Sequence, residues 1–116
     1  MRLGHIELFV RDPKKSLEFY RDVLGMEVIA IQGEQFIWLR GGAIELLLRP
    51  GSGAAEAGSY AAASTGLVLY TDDLKTTAEA LRRRGLVFRG TDGSEHCLTF
   101  TDPDGHWYQL VNPDGH

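Results

Sequence analysis

The sequence predicts an α+β fold: two paired βαβββ modules forming a curved mixed sheet around a concave pocket, with the helices on the outside. Three observations predict it. The order strand, helix, strand, strand, strand can be read twice along the chain. Asp12 stands as far before Gly25 as Asp72 stands before Gly85, so both helices carry the same start and stop signals at one separation. Between the halves lies Pro50 to Ser64, a run of Gly, Ala and Ser with almost no large apolar residue. At 116 residues the chain fits one domain, 1–116. A domain of that size buries roughly 65% of its unfolded surface, enough for a core without staples. The expected division is module 1 over about 1–49, a flexible linker over about 50–64 and module 2 over about 65–116.

Each element has its own signal. In the first strand Ile6, Leu8 and Val10 alternate with His5, Glu7 and Phe9, which gives two different faces. Asp12 is a good N-cap and Pro13 a good first helical residue. A helix is expected to about Leu24, its apolar stripe being Leu17, Tyr20, Val23 and Leu24, with Gly25 as its stop. Strands are expected over Met26 to Ile31, Gln35 to Arg40 and Ala43 to Arg49, with Gly33 and Gly41-Gly42 at the turns. The second module opens with a strand from Gly66 to Tyr70. Asp72-Asp73 then caps a helix whose inner face uses Leu74, Ala78 and Leu81 and which stops at Gly85. Three strands follow, near Leu86 to Phe88, Cys97 to Phe100 and Trp107 to Val111.

Charge and composition narrow the partners. The formal net charge is −4, which argues against nucleic acid or an anionic membrane. The basic run Arg82-Arg83-Arg84 sits at a helix end, where cations suit the helix dipole. The single cysteine, Cys97, cannot pair within the chain and lies in a strand-like run, so it reads as a small buried hydrophobe in a reducing compartment. No apolar stretch is long enough to span a bilayer. Met1 to Val10 is interrupted by His5 and Glu7 and lacks a signal-peptide pattern, so a cytoplasmic protein is expected.

A four-stranded module covers one sheet face with its helix and leaves the other open and twisted. Two such faces joined edge to edge would make the pocket, and a small-molecule ligand is the partner it would hold. The modules would pair within a chain or exchange between chains, and a homodimer is expected. Alternation places Phe9, Phe36, Trp38, Tyr70 and Trp107 as candidate pocket walls, or equally as core; as walls they favour a flat, partly aromatic molecule. Asp102-Pro103-Asp104-Gly105 reads as a turn rather than as an acidic site. There is no phosphate-binding glycine loop, nucleophile elbow or zinc-type Cys/His spacing.

Gly4-His5-Ile6, the helical Leu17-Glu18-Phe19-Tyr20 and Val23-Leu24-Gly25, and the closing Phe100-Thr101-Asp102-Pro103-Asp104-Gly105 occur in that order. Together they resemble the glyoxalase/bleomycin-resistance/extradiol-dioxygenase (vicinal oxygen chelate) superfamily over nearly the whole chain. The resemblance implies metal ligands on the first and last strand of each module. Carried over, these positions fall on His5, Glu45 and Gln109, with Gly66 or Thr65 where a further histidine usually stands. The metal would be Ni, Zn, Mn, Fe or Co, holding two substrate oxygens as a Lewis acid. Neither Gly66 nor Thr65 replaces an imidazole, and Gln109 has no basic group to move a proton.

Three functional classes follow. The first is a small-molecule-binding member of the bleomycin-resistance type, with an incomplete metal site. The second is a metal-dependent lyase, isomerase or dioxygenase using His5, Glu45 and Gln109, with Glu45 as the catalytic base. The third is a non-enzymatic interaction domain.

Overall fold

A computed structural model describes residues 1–52 and 55–115; positions 53, 54 and 116, in the expected linker and at the end of the second module, lie outside them. The chain is α+β and divides into two compact units, Met1–Ala54 and Ala55–His116. Among the described residues no helix is long and apolar enough to cross a membrane.

The first unit is a βαβββ module. Its strands are β1 (His5–Val10), β2 (Glu27–Gln32), β3 (Phe36–Gly41) and β4 (Ile44–Pro50), in sheet order β1-β4-β3-β2. β1 runs parallel to β4, and the other pairs are antiparallel. The alternation seen in the sequence sets the two faces. Leu8 and Val10 of β1, Leu46 and Leu48 of β4 and Ile37 and Leu39 of β3 are all buried. Helix α1 (Pro13–Glu18) packs on β3 and β4, with Pro13 and Ser16 buried. Asp12 caps it by accepting from the Lys14 and Lys15 backbone N–H groups at 3.1 and 3.4 Å.

The regular helix is shorter than expected. After Glu18 the chain widens into a π-helical turn, Phe19–Val23, closed by Leu24 N–H donating to the Phe19 carbonyl at 3.0 Å. That i+5 bond is the hallmark of a π-bulge, and the widened turn sets Tyr20 fully inside the unit. Gly25 then reverses the chain at φ 75°.

The second unit has β5 (Leu67–Tyr70), helix α2 (Leu74–Arg83), β6 (Cys97–Thr101) and β7 (Trp107–Val111), in sheet order β5-β7-β6. β5 is parallel to β7, and β6 antiparallel to it. Ala78 and Leu81 of α2 are buried, as are Phe100 and Tyr108, whose rings stack at 5.2 Å. Arg82, from the basic run, lies over the Phe88 ring at the helix end.

Gly85 stops α2 at φ 104°, and a Cβ there would meet nothing within 4 Å. The cost of a side chain is therefore purely conformational, so Gly85→Ala is expected to destabilise the protein by about 1–2 kcal/mol in urea unfolding.

Two expectations are corrected. Leu86 to Phe88 does not form a strand. Leu86 and Phe88 instead turn inward, Phe88 meeting Phe100 edge-on, and Gly90 at φ 91° breaks the extended run. The segment after it meets β6 through the Arg89–Thr99, Thr99–Gly90 and Asp92–Cys97 backbone bonds and an isolated bridge, Thr91 to Leu98, among the described residues. The second half of the expected linker is also no free spacer. Glu56 pairs with Arg89, the Ala57 carbonyl accepts from the Trp107 indole at 2.9 Å, and Tyr60 lies against Gly66. A few side chains anchor a segment whose bulk composition is that of a linker.

Candidate functional site

The sheet of the first unit has one hydrophobic face and one mixed face. Register places the mixed face: His5 pairs with Glu45, Glu7 with Leu47 and Phe9 with Arg49 across β1 and β4. Trp38 of β3 pairs with Leu47, and Phe36 pairs with Gln32 of β2. Because side chains alternate across a strand, these residues project to the same side.

A connected polar network occupies this face. The His5 Nε2 lies 2.8 Å from Glu7 Oε2, and Arg49 Nη1 donates to Glu7 Oε1 at 3.0 Å. The hydrogen bond with His5, and then that with Arg49, hold the Glu7 carboxyl below its usual value. The aromatic groups are tied to the same network. The Trp38 ring meets His5 edge-on, centroids 4.7 Å apart, and its indole N–H donates to Gln32 Oε1 at 3.1 Å. The Arg49 guanidinium lies 5.0 Å from the Phe9 ring centroid and 5.2 Å from that of Phe36. Thus the structure brings together His5, Phe9, Phe36 and Trp38. Glu45 is adjacent to His5 in register but is exposed, so it needs no buried partner.

The second unit places Gln109 on the face opposite its aromatic core, between Val68 and Thr99 in register. Its amide nitrogen reaches towards Asp92 Oδ2 at 3.5 Å. Trp107 is buried, with its N–H given to Ala57 and Arg89 over its ring at 4.7 Å. Tyr70, by contrast, is 74% exposed. Cys97 is fully buried, and burial pushes its thiol up, away from the thiolate a nucleophile needs.

A third histidine-like donor is where the metal set fails. A Cβ at Gly66 would sit 2.3 Å from the Tyr60 hydroxyl oxygen, so Tyr60 fills the space a side chain there would take. In the first unit the carboxylate nearest His5 is already neutralised by Arg49, and a guanidinium beside a divalent cation is repulsive. Among the described residues, no group of three or more His, Cys, Asp or Glu side chains is placed to hold a metal ion. The donors present do not fit a resident divalent ion.

Asp102 is a turn residue. Its Oδ1 accepts from the backbone N–H groups of Asp104 and His106 at 3.0 and 2.8 Å, and its Oδ2 pairs with His106 Nδ1 at 2.7 Å. That pairing raises the His106 pKa above 6.5. A raised histidine stabilises the fold fully below its unfolded value and loses that contribution as pH climbs through the folded one. The stability difference between wild type and His106→Ala is therefore expected to be largest near about pH 5 and to shrink by about pH 9. Urea unfolding across that range checks it; a pH-independent difference would contradict it.

Sequence reasoning named the aromatic residues and His5 but not Arg49 or Tyr60. The signal for Arg49 was present, since Glu45, Leu47 and Arg49 alternate on one face. Tyr60 gave only one clue, being the one aromatic residue in an otherwise small-residue segment.

A family model, the glyoxalase/bleomycin resistance protein/dioxygenase superfamily, matches residues 2–110. Several solved structures share the fold. A superfamily member from Sphaerobacter thermophilus is 25% identical, with 97% of this chain and 98% of that chain covered at a TM-score of 0.70. An antibiotic binding protein from Streptomyces is 24% identical, with 97% of each chain covered and a TM-score of 0.70. The fosfomycin resistance protein FosX from Listeria monocytogenes, in complex with Mn(II) and a dihydroxypropylphosphonic acid, is 18% identical. There the alignment covers 95% of this chain and 88% of that one at a TM-score of 0.72.

Proposed function

The chain belongs to the glyoxalase/bleomycin resistance protein/dioxygenase superfamily, and from that premise we propose that it is a small-molecule-binding member of the bleomycin-resistance type that works without a resident metal. Its ligand is small, flat and partly aromatic, and lies on the first unit's mixed face against Phe9, Phe36 and Trp38. The observation that carries this reading is the His5–Glu7–Arg49 network, in which the protein's own cation occupies the partner position of the carboxylate nearest the imidazole. A face that is self-neutralised yet rich in aromatic surface suits binding by stacking and hydrogen bonding better than Lewis-acid chemistry.

The space that Tyr60 takes beside Gly66 supports the same reading from the second unit. The antibiotic-binding relative from Streptomyces gives a precedent of fold for a binding role.

Metal analysis of protein purified without a histidine tag tests the proposal. The expected result is no stoichiometric Ni, Zn, Mn, Fe or Co and no thermal stabilisation when each is added. Stoichiometric metal, removed by a chelator with loss of thermal stability, would overturn it in favour of a lyase, isomerase or dioxygenase using His5, Glu45 and Gln109.

A further inference from the structure

We propose that Arg49 sets the ligand class of this face, selecting a small aromatic molecule that carries a planar oxyanion, namely a carboxylate. This rests on the binding role proposed above and names the ligand chemistry for it.

Arg49 is held in an unusual way. Phe9 of β1 and Phe36 of β3, on the two strands that flank β4, lie 5.0 and 5.2 Å from its guanidinium carbon. Aromatic rings against the guanidinium leave its in-plane edges for hydrogen bonding. One of those edges is used: Nη1 donates to Glu7 Oε1 at 3.0 Å. The Nε–H is buried and has no hydrogen-bond partner among the described residues. A buried donor without an acceptor calls for an explanation, and a missing ligand acceptor is one.

The chemistry of the missing acceptor follows from the surroundings. A carboxylate lies in the plane of a guanidinium and takes two of its N–H groups at once, which suits a cation confined by rings. Glu7 and the exposed Glu45 on the same face disfavour a second negative charge, so a monoanion is preferred to a phosphate dianion. Glu7 is held by both His5 and Arg49, so the ligand adds an acceptor at Nε and leaves the Glu7 bridge in place. Trp38 is the register partner of Leu47, which stands two residues before Arg49 on that face. Diagonal neighbours of this kind lie roughly 7–8 Å apart, a span that an aromatic ring bearing one carboxylate bridges. Nε is buried, so the carboxylate reaches it by a local side-chain movement, for which Phe9, 46% exposed and 5.0 Å from the guanidinium carbon, is the nearest mobile ring in this proposal.

The test compares benzoate with benzamide, its neutral isostere, in NMR titrations of the full chain that follow the Trp38 indole N–H. Benzoate is expected to bind at least about tenfold more tightly than benzamide. Arg49→Lys keeps the charge but loses the planar fork, and should bring benzoate down to the level of benzamide. Arg49→Met should do the same; if it fails to fold, judged by loss of amide dispersion, the lysine variant decides. Equal affinities in the wild type, or a preference for benzoate that survives in Arg49→Lys, would overturn the carboxylate inference and leave the aromatic-binding role standing. No shift of the Trp38 indole with either compound would overturn both.

Discussion

Asp102→Ala is expected to lower the unfolding free energy by about 2–4 kcal/mol, the larger of the stability effects put forward for this protein. Asp102 is 3% exposed and its carboxylate organises the β6–β7 turn. It accepts from two backbone N–H groups and from the His106 ring, and its own N–H and C=O bond to His106 and Gly105. Hydrogen bonds to a charged group contribute roughly 1.5–3 kcal/mol each, and water replaces part of that in an opened turn. Asp102→Asn keeps an acceptor for the backbone and should fall between. Urea unfolding of the three proteins checks the order. A catalytic carboxylate would behave in the opposite manner, leaving stability intact, so an Asp102→Ala protein as stable as wild type would remove the structural account of this turn.

Trp38→Ala is expected to weaken binding of a small aromatic ligand by about tenfold to a hundredfold. The indole is held in place by Gln32 through its N–H and by the edge-on ring contact with His5. It is therefore pre-organised, so little ordering cost falls on binding. Gln32→Leu removes only the lock and should cost less than Trp38→Ala, while Trp107→Ala should act mainly on stability, because that indole is buried and its N–H is spent on Ala57. Ligand affinities and unfolding midpoints of the three variants separate these roles.

Much of the fold was legible because local signals agreed. Asp12 with Pro13, Gly25, Asp73 and Gly85 mark helix ends by their own backbone chemistry, and the alternation of β1 names Leu8 and Val10 as buried directly. What was not legible depended on packing. Leu86 to Phe88 has strand composition, but Leu86 is buried, Phe88 packs edge-on against Phe100, and Gly90 at positive φ ends the extended run before a ladder is made. The π turn at Phe19–Val23 likewise follows from burying Tyr20, which a helical stripe alone does not reveal.

The site was legible in part for the same reason. His5, Phe9, Phe36 and Trp38 were placed by period-two alternation, which is local. The links between them were not. Glu7 joins Arg49 across most of the first unit's length, and the space beside Gly66 is filled by a tyrosine from a segment that reads as a spacer. Such pairings are matters of tertiary proximity: alternation puts Arg49 on the face and Tyr60 stands out in its segment, but neither signal names the partner.

The binding role proposed for this protein places small aromatic molecules on the first unit's mixed face without a metal. Its most direct test is an amide NMR titration of chelator-treated protein with small aromatic molecules, repeated after adding Mn(II). Saturable shifts are expected at the Trp38 indole and at the backbone of Phe9, Phe36 and Arg49, unchanged by Mn(II). Shifts that arise only once the metal is present, or that miss these residues, would contradict it.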